Sequence, residues 1–290
     1  MIPRKEYSKS VWTDHHEGAV IVEKMFTHFP SLVGMEFAIQ EAIENSNDVI
    51  GFVAENRDEA VEISISKSRN LNGYINGWEY LGGDSRNRLS SFTADIDACI
   101  SESSLLTCMS SSDASNLDLV MKWIFLSRGA AKSQSSWHAD PIGSAAWMIQ
   151  LVGSKEWKTA DGKSGIIFPG DMIIIPPGLE HCVINIGIGE NIAVSHNWIP
   201  VGNLTSMWSE LDRALLELHA FLNEPGNFYH HILPKFHSHT LDRIDSLLFG
   251  LLMVFIHQDR GLELFQKFSA PPNVIEDWIH VTSQIARLNS

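Results

Sequence analysis

Cysteine is scarce: Cys99, Cys108 and Cys182 are three in 290 residues. So odd and sparse a set makes no disulfide framework and fits a reducing compartment. Basic residues are also in deficit, 21 Lys and Arg against 35 Asp and Glu, for a formal net charge of −14. Nucleic-acid phosphates and anionic membrane surfaces are both held by clustered Lys and Arg, so neither is expected as a partner. A cationic partner or substrate fits the charge. The longest apolar run, Leu247–Ile256, stops well short of the roughly 20 residues that span a bilayer. The opening segment MIPRKEYSKSVWTDHHEG lacks the apolar core of a secretion signal. The chain has no internal repeat and no low-complexity tract. A cytoplasmic protein is the expectation. With 44% apolar and 19% charged residues, the chain is globular and long enough to bury a core without covalent staples.

Three textures follow one another, and they divide the chain at 1–115, 116–200 and 201–290. The first mixes β-like runs (GAVIV at 18–22, VIGFV at 49–53, VEISI at 61–65) with helical patterns. One helix is expected after Ser31 and another from Thr93, which serves as its N-cap. The second texture reads as short strands cut by turns: LVMKWIFLS, SSWHAD, AAWMIQLV, KEWKT, GIIF, DMIII, HCVINI and NIAVSHNW. So many strands in so short a stretch predict an antiparallel barrel or jelly roll. The third texture is helical. Trp208, Leu211, Leu215, Leu218 and Leu222 form one apolar stripe that Asn223-Glu-Pro-Gly terminates, and further helices are expected over 241–257 and 274–287. The stripe suits packing onto the barrel or a homodimer interface.

Trp137-His138-Ala139-Asp140 is the strongest chemical signal. Residues two apart on a strand face the same side, so His138 and Asp140 present an imidazole and a carboxylate to one point. The third donor comes from PGDMIIIPPGLEHCVIN. There Gly170, Pro176, Gly178, His181 and Asn185 follow the second cupin signature, and the Pro-Pro-Gly turn delivers His181 facing inward. Two imidazoles and one carboxylate on a face, with coordination positions left open, suit the facial triad of non-haem Fe(II) oxygenases.

The segment MKWIFLSRGAAKSQSSWHADPIGSAAWMIQLVGSKEW resembles the first half of a JmjC (jumonji-type) domain, within the cupin superfamily. The resemblance is nearest to the phosphatidylserine-receptor-type lysyl hydroxylase branch. It is carried by His138, Asp140, Pro141, Gly143, Ser144, Ala145 and Trp147, then Gly153, Lys155 and Trp157. GDMIIIPPGLEHCVINIGIGENIAVSHNW resembles the second half. The resemblance implies a double-stranded β-helix core with an N-terminal α/β extension and a C-terminal helical region. It also implies Fe(II), O2 and 2-oxoglutarate. Lys155 matches the lysine that pairs with the distal carboxylate, where a buried anion needs a cation. Ser195 matches a hydroxyl that assists it, Asn185 and Asn197 match amides near the cosubstrate, and Ser135 stands where a Thr often reaches it. Tyr74 and Tyr80 are candidate upstream contacts.

What the resemblance implies chemically is hydroxylation of an unactivated C–H with release of succinate and CO2. The substrate would be a protein or peptide side chain, or an amino-acid-like molecule. Small-molecule tailoring, a cosubstrate-independent cupin enzyme and a non-catalytic cupin binding protein are the alternatives. The sequence departs from the pattern in several places. The insertion between the two halves has shrunk to TADGKSG, Met148 replaces an Asn, and Glu156 replaces a basic residue. The remaining histidines read as structural. His230, His231, His237 and His239 fit no closed zinc spacing, His15 and His16 read as surface residues, and His196 should face away from Ser195 and Asn197.

Overall fold

The structure is a computed structural model. It describes residues 1–12, 17–45, 51–56, 59–63, 73–79, 83–101, 122–128, 134–140, 144–187, 189–198 and 271–288, with short helical pieces at 208–209, 212 and 215–216. Among the described residues, twelve strands run in chain order. They are β1 (Arg4–Glu6), β2 (Val20–Glu23), β3 (Gly51–Asn56), β4 (Glu59–Ile63), β5 (Gly73–Glu79), β6 (Lys122–Arg128), β7 (Ala145–Val152), β8 (Ser154–Thr159), β9 (Ser164–Ile167), β10 (Met172–Ile175), β11 (His181–Ile186) and β12 (Asn191–Trp198). The helices are α1 (Met25–His28), α2 (Met35–Asn45), α3 (Gly83–Ser101) and α4 (Pro272–Leu288).

Nine strands form one sheet in the order β1-β2-β10-β7-β12-β6-β5-β3-β4, and β11-β8-β9 form the second. Bridges Gln134–Ile184 and His138–His181 lay the 134–138 segment along the free edge of β11. The central part of the large sheet and this widened small sheet face each other as a jelly roll. Strands β1 and β2 extend the large sheet at one edge, and β3 to β5 extend it at the other. Arg4 anchors β1: its guanidinium donates to Glu23 and Asp171 at 2.6 Å each, and to the Ile166 carbonyl at 2.8 Å.

Period-2 alternation divides the large sheet between two cores. One face carries Val20, Val22, Trp147, Ile149, Met172, Ile174, Val194 and Trp198, and packs on Met25, Met35, Ile39, Ile96 and Ile100 of the helices. The other face carries Ile21, Met148, Ile173, Ile175 and Ala193, and packs on Trp157, Ile167 and Val183 of the small sheet. Burying each such side chain contributes roughly 1.5–3 kcal/mol. The near-continuous apolar runs of β7, β10 and β12 arise because these strands are buried on both faces.

Two expectations are corrected. Thr93 does not cap a helix: α3 begins ten residues earlier at Gly83, and Thr93 lies buried inside it, its hydroxyl donating to Asp97 Oδ2 at 3.1 Å. A half-buried acceptor one turn ahead satisfies the hydroxyl that a cap would have turned back onto the backbone. SSWHAD is not a continuous strand either. Within it only His138 forms a bridge to β11, beside the hydrogen bonds between Ser135 and Val183.

In the C-terminal region the described residues bear out a helix at Pro272–Leu288, with Val274 and Trp278 buried. Trp208 and Leu215 of the apolar stripe are helical and buried. The expected helix over 241–257, the Asn223 stop and the rest of the stripe lie outside the described residues. Among the described residues, no helix is long and apolar enough to cross a membrane.

Candidate metal centre

The registers place the chemistry at one end of the barrel. β7 runs away from Ala145, and Gly153 turns the chain into β8, which returns to Thr159. β11 starts at His181, opposite Thr159, and Asn185 lies opposite Lys155. His138, Asp140 and His181 therefore gather at the end where β7 and β11 begin, and Lys155 lies deep in the barrel.

A donor atom from each of His138, Asp140 and His181 lies within 4.8 Å of the others. His181 is buried, while His138 and Asp140 sit nearer the surface. Each imidazole uses Nδ1 on a main-chain carbonyl two residues back: His138 on Ser136 at 2.9 Å and His181 on Leu179 at 3.0 Å. A proton on Nδ1 leaves the Nε2 lone pair for a metal, the usual support of a ligating histidine. Burial holds the His181 imidazole below its ordinary pKa, against the opposing pull of Asp140, which favours the neutral, ligating form. Asp140 Oδ2 is buried and accepts no hydrogen bond from the described residues. A buried carboxylate oxygen without a donor calls for a cation. The donor set thus fits a divalent metal held by two imidazoles and a carboxylate.

Pro176-Pro177-Gly178 builds the turn into β11 as expected. Gly178 adopts φ +73°, which favours glycine, and the Leu179 N–H donates to the Pro176 carbonyl at 3.3 Å. It positions Leu179 to take the His181 ring proton.

Deep in the barrel, β8 alternates so that Lys155, Trp157 and Thr159 are buried and Ser154, Glu156 and Lys158 are half-buried. Lys155 is fully enclosed and its ammonium donates to Asn185 Oδ1. Desolvation pushes its pKa down to about 7. Ser195 and Asn197 share the interior face of β12 with Ala193. The Ser195 hydroxyl donates to the Trp147 carbonyl at 2.8 Å, so serving a ligand would require it to rotate. Asn197 Nδ2 donates to the buried Ser144 hydroxyl at 3.1 Å. The Ser135 hydroxyl accepts from the Val183 N–H at 2.9 Å, which ties the His138 segment to β11 and leaves its own proton to give. His196 faces the helices, its ring 3.2 Å from Asp97 and edge-on to Trp147. The side chain of Tyr74, and Tyr80, His15, His16 and the 230–239 histidines, lie outside the described residues.

Trp157, one of the residues that carry the resemblance, is buried in the core and also stacks on His181, with ring centroids 5.2 Å apart and planes 28° from parallel. The signal was the period of two from Lys155, which puts residue 157 on the same interior face.

No family model matches the chain. It is 24% identical over 152 residues to the 2-oxoglutarate and iron-dependent oxygenase JMJD4 of Homo sapiens, covering 40% of this chain and 35% of that protein. It is 26% identical over 135 residues to the bifunctional arginine demethylase and lysyl-hydroxylase psr-1 of Caenorhabditis briggsae, covering 32% and 33%. By sequence, the chain is similar to the JmjC-type oxygenases. The Drosophila melanogaster JMJD4 homolog matches at 27% over 120 residues, covering 31% of this chain and 28% of that protein. The matched part thus spans about a third of these relatives' length. Among solved structures, the Drosophila melanogaster CENP-C cupin domain is 15% identical with a TM-score of 0.24, covering 27% of this chain and 59% of that one.

Proposed function

We propose that this protein is an Fe(II)- and 2-oxoglutarate-dependent oxygenase that hydroxylates an unactivated C–H of a protein or peptide side chain or an amino-acid-like substrate. The observation that carries the reading is the His138–Asp140–His181 cluster, whose buried Asp140 oxygen has no donor among the described residues. The names of the JmjC-type relatives support it. When bound, iron and 2-oxoglutarate supply O2 activation coupled to decarboxylation, which gives succinate and CO2.

The chain's own residues bind and shield. His138 and His181 offer Nε2 and Asp140 offers Oδ2, and the remaining coordination positions are left to small ligands. Lys155 lies four residues further along the barrel than His181, by its pairing with Asn185. That is roughly 13 Å of strand, divided between the stem of Lys155 and a short dicarboxylate reaching toward the metal. A protonated Lys155 in an enclosed site would pair strongly with such a carboxylate. Asn185 holds the ammonium in place. Ser195, Asn197 and Ser135 are the further polar groups around this space. Met148, Ile173, Ile175 and Val183 keep water from the rest of the interior.

The test supplies purified protein with Fe(II), ascorbate and 2-oxoglutarate and measures succinate with and without a library of peptides and amino acids. Substrate-dependent succinate is expected, and His138→Ala should abolish it. Succinate output unchanged by that substitution would sink the assignment.

A further inference from the structure

We propose that Trp157 is a binding residue for the dicarboxylate cosubstrate, its indole N–H donating to a cosubstrate oxygen while its ring keys His181 in place. The inference rests on reading the barrel as a 2-oxoglutarate site.

Trp157 is only 2% exposed and lies on the interior face of β8 between Lys155 and Thr159. Its cross-strand neighbours are Val183 on β11 and Gly165 on β9. Its ring lies over the imidazole of His181. Around it the interior is apolar, formed by Met148, Ile173, Ile175 and Val183. Nε1 is nevertheless a strong donor, and here it is buried with no acceptor among the described residues. Leaving such a donor unsatisfied costs about 1–3 kcal/mol. Packing alone would be served as well by a phenylalanine. A molecule that reaches from the metal ligands to Lys155 must pass Trp157, because its strand position falls between Thr159, opposite His181, and Lys155, opposite Asn185. A carboxylate or keto oxygen of that molecule is the acceptor this position lacks. The stack onto His181 prevents the indole from turning away, so the donor is held ready before the ligand arrives.

The experiment uses the full chain loaded with Zn(II), which binds without turnover, and follows the indole N–H resonances by NMR. Trp157 is assigned as the indole most broadened when Mn(II) replaces Zn(II), and W137F identifies the other tryptophan beside a ligand. On addition of 2-oxoglutarate, the Trp157 indole proton should move downfield and its exchange with water should slow. Titration of W157F should show 2-oxoglutarate binding weakened about ten-fold or more, as for loss of a bond to a charged acceptor. Its Zn(II) affinity should change far less. If the wild type binds 2-oxoglutarate while the Trp157 indole stays unmoved, or if W157F binds it as tightly as wild type, the donor serves a water or packing and the proposal falls. The wild-type resonance decides the matter even if W157F fails to fold. Absence of 2-oxoglutarate binding by the wild type would instead defeat the cosubstrate reading itself, and this inference with it.

Discussion

His138 and His181 exchange both main-chain hydrogen bonds, His138 N–H to the His181 carbonyl at 3.0 Å and His181 N–H to the His138 carbonyl at 2.8 Å. A hydrogen-bonded antiparallel pair sets two Cα atoms about 5.5 Å apart with side chains on one face. The two imidazoles accordingly lie with centroids 4.4 Å apart. This pair is a junction of the fold as well as of the site, because it helps hold the 134–138 segment to the small sheet. Neither bond uses a side chain, so the scaffold can place both ligands before a metal arrives.

Asp140 supplies the charge that the scaffold leaves uncompensated. Asp140→Ala should cost the metal-bound protein roughly a hundredfold or more in metal affinity, since even supporting residues of ligands commonly cost 10- to 100-fold. The metal-free protein should be no less stable and should gain about 1 kcal/mol, because a buried acceptor with no donor among the described residues is removed. Thermal melts with and without a chelator, together with metal titration, check both signs.

The turn between β7 and β8 sets the depth of Lys155. Gly153 has φ +74°, and a Cβ there would lie 2.7 Å from Asn191 Nδ2 and 2.8 Å from the Glu190 carbonyl. Gly153→Ala should therefore lower stability by about 2–3 kcal/mol, combining the left-handed penalty of roughly 1–2 kcal/mol with a backbone clash. Gly178 has a similar φ of +73° but open space around it. Gly178→Ala should cost only about 1 kcal/mol. Chemical denaturation of the two variants in parallel measures the difference, and equal losses would contradict this account.

His196 is a neighbour of the cosubstrate residues in sequence and a stranger to them in space. It lies between Ser195 and Asn197 but faces Asp97 of α3. His196→Gln should leave metal affinity unchanged. It should lower stability by about 1 kcal/mol through the part-buried hydrogen bond it disturbs. Metal titration and denaturation of this variant, set beside His138→Ala, separate the helix-facing side of β12 from the metal centre.

The site was legible in the sequence where its chemistry is local. His138 and Asp140 are two residues apart, and Gly178 with its prolines announces the turn into β11. Strands β7 to β12 were legible because runs such as AAWMIQLV are bounded by Gly and Pro. The pairing of β2 onto β10, and of β1 onto β2, was not, because such long-range partners leave no local trace. Thr93 misled because a hydroxyl before an apolar run looks the same whether it caps a helix or, as here, bonds Asp97 within one. The stack of Trp157 on His181 was not legible, because the apolar ring already explains its burial and the contact depends on the cross-strand register.

Lys155 provides a pH signature for the whole reading. Its folded pKa of about 7 lies below the ordinary lysine value of 10.5, through burial. Between these values the unfolded chain binds more protons at this residue than the folded one, so this residue's contribution makes stability rise with pH across the window. Lys155→Met should therefore melt above the wild type when metal-free. The gap should be widest below pH 7 and should shrink as pH rises from 7 toward 10.5. Binding a carboxylate requires the ammonium, so 2-oxoglutarate should bind with proton uptake above pH 7. Its affinity should fall by up to about ten-fold per pH unit there. Calorimetric titrations in buffers of different ionisation enthalpy measure the proton directly. Binding without proton uptake at pH 8 would place the carboxylate away from Lys155.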